Sequence, residues 1–540
     1  MKQTRILSVL LVGIATALTS CSNLPSIKGE ALHYNQVNYR SNYKTLRMNG
    51  MGYTAENFST KKGKGGTYNV VSDVKALVVG VDFTDYPASE LPKGDEGTLD
   101  DLQKAIFGKS EETGWESLKS YYYKSSFGVC KIDGVVADQW YHTNVNVKGF
   151  ANGDATDGIK NENATQVLCK KVSNWAKDTL NLDMSQFDAN KDGFIDSVIM
   201  IYSAPPHVQV NGKAVDDDLF WAFCWSRDAD EKDANLDDPA PYRFFWASYR
   251  TFFEDGYYGN DGQHHDWTDE EIKSGTAPLD AHTLIHEFGH ALSLPDYYNG
   301  EYTSSSVYAY DPLGCVDMMA WNIGDHNAFS KALYGWISPI VAYGNSTVTL
   351  RSTTDKGDFI VIPVEELDDP KKDFTLLSQY IMIEFLTPTG VAYSDSLDAY
   401  AGSYPIWFQH PGVRVTLVDA RMGMFDYSGK FQGFTGSPLA SGGRTRFACD
   451  NNDSTRSCYP KYKLIEIIPA NGTKAQNLAG NADDTCLYHE GDEFNTTNSK
   501  TKWKDFKADG KGGDRDKTFK FGFTIKKLSD KSCTIEIVKK

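Results

Sequence analysis

The pentapeptide His286-Glu287-Phe288-Gly289-His290 constrains this chain more than any other feature. Residues four apart on an α-helix share a face, so a helix here directs both imidazoles toward one point. Leu284, Ile285, Phe288, Ala291 and Leu292 give that helix a buried side, and Asp280 is placed to cap its start. Pro295 cannot continue the helix, and it turns the chain back so that Asp296 falls where a third ligand is needed. Two imidazoles, a carboxylate and one open position make a catalytic zinc site. Glu287, between the histidines, is free to act as general base on water that the metal activates. The alternative makes Asp296 a plain turn residue, and H-E-x-x-H alone also occurs by chance.

The run His286 to Asp296 reads H-E-F-G-H-A-L-S-L-P-D and continues as Tyr297-Tyr298. It resembles the immune inhibitor A-type peptidases, a metzincin-like family whose zinc is held by two His and one Asp. Similar segments recur from residue 74 to the end. Ala76–Phe83 resembles the family's opening strand, Tyr122 through Gly128 a further segment, and Phe187–Asp196 its Asp-rich turn. Val316-Asp317-Met318-Met319-Ala320 is similar to the segment whose Met lies beneath the metal, and Phe329–Ile337 to the helix that follows. Tyr380–Glu384 and Gly412–Asp419 are similar to paired β segments. The resemblance implies a zinc endopeptidase with His286, His290 and Asp296 as ligands, Glu287 as base and Met319 as floor, Met318 being the second choice. It implies an α/β metzincin-like domain, a twisted mixed sheet with helices, followed by a β-rich C-terminal domain. Two positions depart from the pattern. Ser293 stands where the family has Gly, at a turn that favours positive φ. Thr416-Leu417-Val418-Asp419 lacks the Trp and His of many relatives.

The rest of the chain agrees with that organisation. Residues 1–20 carry Lys2 and Arg5 and an apolar run from Ile6 to Leu18, too short to span a bilayer, and read as a signal peptide. The ending Leu18-Thr19-Ser20-Cys21 resembles a bacterial lipobox, which makes Cys21 the lipidated N-terminus. The alternative is an ordinary secretory signal. Residues 21–70 are polar and read as a tether or short pro-segment. From 71 to 340, buried-strand runs such as Ala76–Val81 and Ser197–Tyr202 alternate with helical periods at Leu102–Phe107, Ser117–Ser125 and Ala164–Leu180, as expected of an α/β catalytic domain. From 341 to 540 the pattern becomes short β-prone runs: Thr347–Leu350, Phe359–Val364, Tyr380–Phe385, Val413–Val418, Lys463–Ile468, Phe519–Ile525 and Thr534–Val538.

Asp188, Asn190, Asp192, the carbonyl of Phe194 and Asp196 have the alternating oxygen spacing of a calcium loop, with Gly193 at its sharp turn. Position twelve is Ile199 and a strand follows, so this is no ordinary EF-hand; the other reading is an Asp/Asn turn bonded to its own backbone. His282, one turn before His286, is expected half-exposed on the helix, with a contact behind the metal ligands as the alternative. His264 and His265 read as loop residues. Apart from Cys21, eight cysteines remain, an even number compatible with disulfides in an exported protein, and Cys449 and Cys458, the nearest pair, are the first candidates for a bridge.

The formal charge of −17 argues against nucleic acid as a partner, and membrane contact is expected through the N-terminal lipid only. The function that best fits is an exported, lipid-anchored zinc endopeptidase acting on protein or peptide substrates. A binding lipoprotein that keeps the fold without turnover is the alternative, and a zinc hydrolase of non-peptide bonds a third.

Overall fold

The computed structural model describes residues 25–33, 59–62 and 69–539, except 217, 228–232, 254–256, 259–262, 293, 301–309, 365–373, 398–403, 427, 435–442, 459–461, 474, 476–477, 479–480 and 496–519. Residues 1–20, read from sequence as a signal peptide, and Cys21 lie outside the described residues.

Two sheets organise the molecule. The first runs in the order Phe223–Ser226, Arg243–Ser248, Ser197–Tyr202, Asn69–Asp82 and Ser59–Lys62, with Lys131–Val136 and Tyr141–His142 also paired to the long Asn69–Asp82 strand. Arg243–Ser248, Ser197–Tyr202, Asn69–Asp82, Lys131–Val136 and Tyr141–His142 are parallel. Phe223–Ser226 runs antiparallel at one edge, against Arg243–Ser248.

Its central strands are continuously apolar because both faces are covered, as parallel sheets require. Leu77, Val79 and Val81, with Val198, Met200 and Tyr202, face a core shared with Leu168, Val172 and Ala176 of the Asn163–Asp178 helix. Ala76 and Val78, with Ile199 and Ile201, face the opposite way, toward the helices Gly94–Phe107, Leu118–Ser125 and His282–Ala291. The Gly94–Phe107 helix begins well before the Leu102–Phe107 stretch read from sequence, because its first turn, Gly-Asp-Glu-Gly, carries no apolar period.

The second sheet has the order Ile465–Ile467, Gly412–Asp419, Gln379–Leu386, Phe359–Pro363, Ile340–Arg351, Ser532–Lys539, Phe521–Leu528 and Glu493–Asn495. Its pairings are antiparallel except where Ile340 and Val341 lie parallel to Ile360 and Val361. Alternation again divides the side chains. Ile360, Ile362, Ile381 and Ile383 fill this sheet's own core, while Phe359, Val361, Tyr380 and Met382 join the core that holds Ile285 and Phe288. The second sheet therefore backs the region of the histidine helix directly. Residues 26–33, inside the stretch read as a tether, form a strand antiparallel to Ile340–Arg351. Its sequence SIKGEALH shows little alternation because most of its side chains stay exposed and backbone bonding holds it.

Candidate metal centre

The helix that carries the histidines spans His282–Ala291, with Leu284, Ile285, Phe288 and Ala291 buried. Asp280 accepts the His282 N–H at 2.8 Å, although Ala281 occupies the cap position itself. At the other end, the Leu294 N–H reaches back to the Gly289 carbonyl at 3.0 Å, and the chain then passes through Pro295 toward the helix face it has just left.

His286, His290 and Asp296 each offer a ligand atom, and these atoms lie within 4.8 Å of one another. Among the described residues this is the one group of three or more His, Cys, Asp or Glu side chains so converged. The Asp296 Oδ1 lies 3.1 Å from His286 Nε2 and 3.0 Å from His290 Nε2. Each Nδ1 is committed elsewhere: His286 to the Met318 carbonyl and His290 to the Leu294 carbonyl, both at 2.8 Å. Carbonyl acceptors behind Nδ1 fix the tautomer that leaves the Nε2 lone pair forward, the arrangement seen behind metal-bound imidazoles. The donor set of two imidazole nitrogens and one carboxylate suits zinc. Burial alone would raise the Asp296 carboxyl, but His290 and His286 hold it well below the usual carboxylate range. Burial works against charge on His290, yet Asp296 lifts it to about 9.

Glu287 is steadied by a group that no sequence pattern announces. Its Oε2 accepts the backbone N–H of Cys224 at 3.1 Å, from the antiparallel edge strand Phe223–Ser226. Burial pushes the Glu287 carboxyl up, against the pull of His290 and His286. Tyr298, half-buried, sets its ring 6.1 Å from that of His286.

The methionine segment lies directly against the histidine helix. A Cβ added at Gly289 would stand 2.4 Å from the Met319 Sδ and 3.0 Å from its Cε, so the glycine is what lets the thioether approach. Asp317 caps the short Met318–Trp321 helix by accepting the Met319 N–H at 3.0 Å, and Asn327 Nδ2 donates to its other oxygen at 3.0 Å. Arg414, fully buried on the second sheet, donates to Glu384 at 2.8 and 3.1 Å and to the Val316 carbonyl at 3.2 Å. The backing sheet thus grips the segment whose Met318 carbonyl orients His286. Burial raises Asp317 to about 6 even with Arg414 beside it.

Other expected positions fall differently. His282 is fully buried, not half-exposed: Asp280 lies 2.5 Å from its Nδ1, Asp395 lies 3.5 Å from its Nε2, and Trp115 stacks on its ring at 3.8 Å. Two carboxylates make that burial tolerable. His264 and His265 form a two-residue strand paired with Tyr257–Tyr258. Ser293 lies outside the described residues. In the Asp-rich loop, Asp188 accepts the Asp192 and Gly193 N–H groups at 3.1 and 3.0 Å, and Asn190 accepts that of Asp192 at 2.8 Å. Those are the bonds of the turn reading. Asp192 accepts the N–H of Phe194 at 3.0 Å, and one oxygen of Asp196 accepts from Lys75 and Ala189 at 2.8 and 3.3 Å. The other, Oδ1, is buried with no hydrogen-bond partner.

Residues 62–319 match the family model described as the immune inhibitor A peptidase M6 catalytic domain. Immune inhibitor A of Bacillus thuringiensis subsp. alesti is 27% identical over 258 residues, covering 42% of this chain and 34% of that protein. The chain's match therefore spans about a third of the relative's length. The histidine helix, Asp296 and Met319 all fall inside the matched segment.

Proposed function

We propose that this chain, whose residues 62–319 match the catalytic-domain model of the immune inhibitor A metallopeptidases, is a zinc-dependent endopeptidase. His286, His290 and Asp296 hold the ion, Glu287 is the general base, and Met319 is the floor of a metzincin-like site. The observation that carries the reading is the convergence of three ligand atoms with both Nδ1 atoms already committed to carbonyls.

A zinc ion bound there supplies Lewis-acid polarisation of a carbonyl and lowers the pKa of water to ~7. Glu287, one residue from the first ligand and held by the Cys224 N–H, accepts the proton of the attacking water and returns it to the leaving amine. The Phe223–Ser226 strand that steadies it stands at the edge of its sheet, a backbone ladder suited to an extended peptide. That edge favours a protein or peptide substrate. The 341–540 β-rich unit acts as the support that fixes Asp317 and the Met319 segment. Cys21 anchors the exported protein to the cell envelope through lipid, a reading that rests on the lipobox-like sequence and is tested by mass spectrometry of the mature N-terminus; an unmodified Cys21 would remove it. We also propose a structural calcium ion in the Asp188–Asp196 loop, supported by the oxygen spacing and the partnerless Asp196 Oδ1.

Hydrolysis of a casein-type substrate by the wild type and Glu287→Gln tests the mechanism. The variant is expected to keep its zinc and lose about 10²–10⁴-fold in kcat. Equal rates in the two proteins would take Glu287 out of the reaction.

A further inference from the structure

We propose that Cys449 and Cys458 form a disulfide, and that this bridge fixes the loop which positions the segment carrying the third zinc ligand. The positioning half rests on reading His286, His290 and Asp296 as a zinc site; the bridge itself does not.

The two Sγ atoms already lie 3.9 Å apart. The chain around them is paired as well, since the Cys458 N–H donates to the Ala448 carbonyl at 2.6 Å. Between them the loop closes on itself. Ser457 Oγ accepts the Asp450 N–H at 2.8 Å and donates to the Tyr462 carbonyl at 2.9 Å, and Asp450 accepts the N–H groups of Asn452 and Asp453 at 2.9 and 3.1 Å. An ordered frame of this kind brings the sulfurs together without a large rearrangement, which disulfide geometry demands.

What the loop holds is the metal segment. Asn451, buried within it, donates from Nδ2 to the Tyr297 carbonyl at 3.0 Å and to the Ile465 carbonyl at 2.9 Å, while its Oδ1 accepts the Ile465 N–H at 3.2 Å. Next to it, the Asn452 carbonyl accepts the Gly300 N–H at 2.9 Å. Tyr297 directly follows Asp296, and its own N–H is held by the Met319 carbonyl at 2.6 Å. The residue after the third ligand is therefore clamped on one side by the methionine segment and on the other by the cysteine-flanked loop. Loosening that loop frees the Tyr297 carbonyl and lets Asp296 drift.

Formation of the bridge is an ordinary exchange. One thiolate attacks an oxidised partner disulfide, the second displaces the resulting mixed disulfide, and the pair loses two protons and two electrons while the partner leaves as two thiols.

The test uses the full chain produced under oxidising conditions. Alkylation followed by non-reducing peptide mapping is expected to return one linked peptide containing Cys449 and Cys458; finding both as free thiols, or bridged to other cysteines, overturns the proposal. Zinc affinity is then read by chelator competition in the wild type, in Cys449→Ser/Cys458→Ser and in Asn451→Ala. Roughly tenfold weaker retention is expected in both variants, the scale of losing a contact behind a ligand. If the double variant does not fold, reduced and alkylated wild type, freed of reductant, takes its place. Unchanged affinity in these proteins refutes the positioning role even where the bridge is found. A wild type with the bridge but no zinc would instead refute the metal site, so the two failures are distinguishable.

Discussion

Substituting Gly289 by Ala probes how closely Met319 is fitted to the histidine helix. The added Cβ meets Met319 Sδ at 2.4 Å and Cε at 3.0 Å, whereas carbon contacts are comfortable near ~3.5–4.0 Å. Something must move by about 1 Å. A methionine tip is flexible, but Met319 is fully buried, and its backbone is pinned by Asp317 at its N–H and by Tyr297 at its carbonyl. Overpacking of this kind costs about 1–3 kcal/mol, while replacing a helical glycine by alanine gains about 1 kcal/mol. The expected net effect is a destabilisation of about 1 kcal/mol, with weaker zinc retention because the Met318 carbonyl behind His286 is displaced. In a Met319→Ala background the obstruction is gone and the same substitution should stabilise by about 1 kcal/mol, a coupling of about 2 kcal/mol. Urea unfolding of the four proteins of the cycle, with chelator competition, measures both. If Gly289→Ala stabilises equally in the two backgrounds, the contact does not govern the site.

Two further outcomes follow from buried charge. Burial opposes a proton on His282, but Asp280 and Asp395 raise it to about 10, above its unfolded value near 6.5, so its stabilisation is complete below pH 6.5 and is lost as pH rises through about 10. His282→Gln should therefore be less stable than wild type by about 3 kcal/mol at pH 6, with the gap narrowing toward pH 10 in pH-resolved thermal unfolding; a gap independent of pH would contradict the charged pair. Removing calcium with a calcium-selective chelator is expected to lower the unfolding temperature, and Asp196→Asn to abolish the response. A chain whose melting ignores calcium holds no ion in that loop.

The parts most legible in the sequence are those where local pattern and tertiary demand coincide. Ala76–Val81 and Ser197–Tyr202 read as buried strands because both of their faces are covered, and the short runs after Pro339 read as strands because their turns punctuate them. The convergence of His286 and His290 is legible because helical spacing alone places them, and that of Asp296 because Pro295 limits where the chain can go. What leaves no local pattern acts at long range or through groups that every residue possesses. Cys224 serves Glu287 with a backbone N–H, which leaves no mark in the sequence. Arg414 and Glu384 sit within β-patterned stretches, and their value lies in reaching Val316 and Ala328, 98 and 56 residues away in the chain, distances no periodicity encodes. Asn451 is an unremarkable loop residue until Tyr297 is placed beside it. His282 is buried where helical pattern alone puts it half-exposed, because its partner Asp395 comes from a distant helix, Tyr393–Leu397, that folds over the start of the histidine helix.

The measurement that bears most directly on the account is the zinc stoichiometry of the purified full chain, alongside Glu287→Gln and Asp296→Ala. One ion per chain is expected in the first two proteins, with retention against a chelator falling sharply in Asp296→Ala. A wild-type chain that holds no zinc, or an Asp296→Ala chain that holds it as tightly, would contradict the site built here.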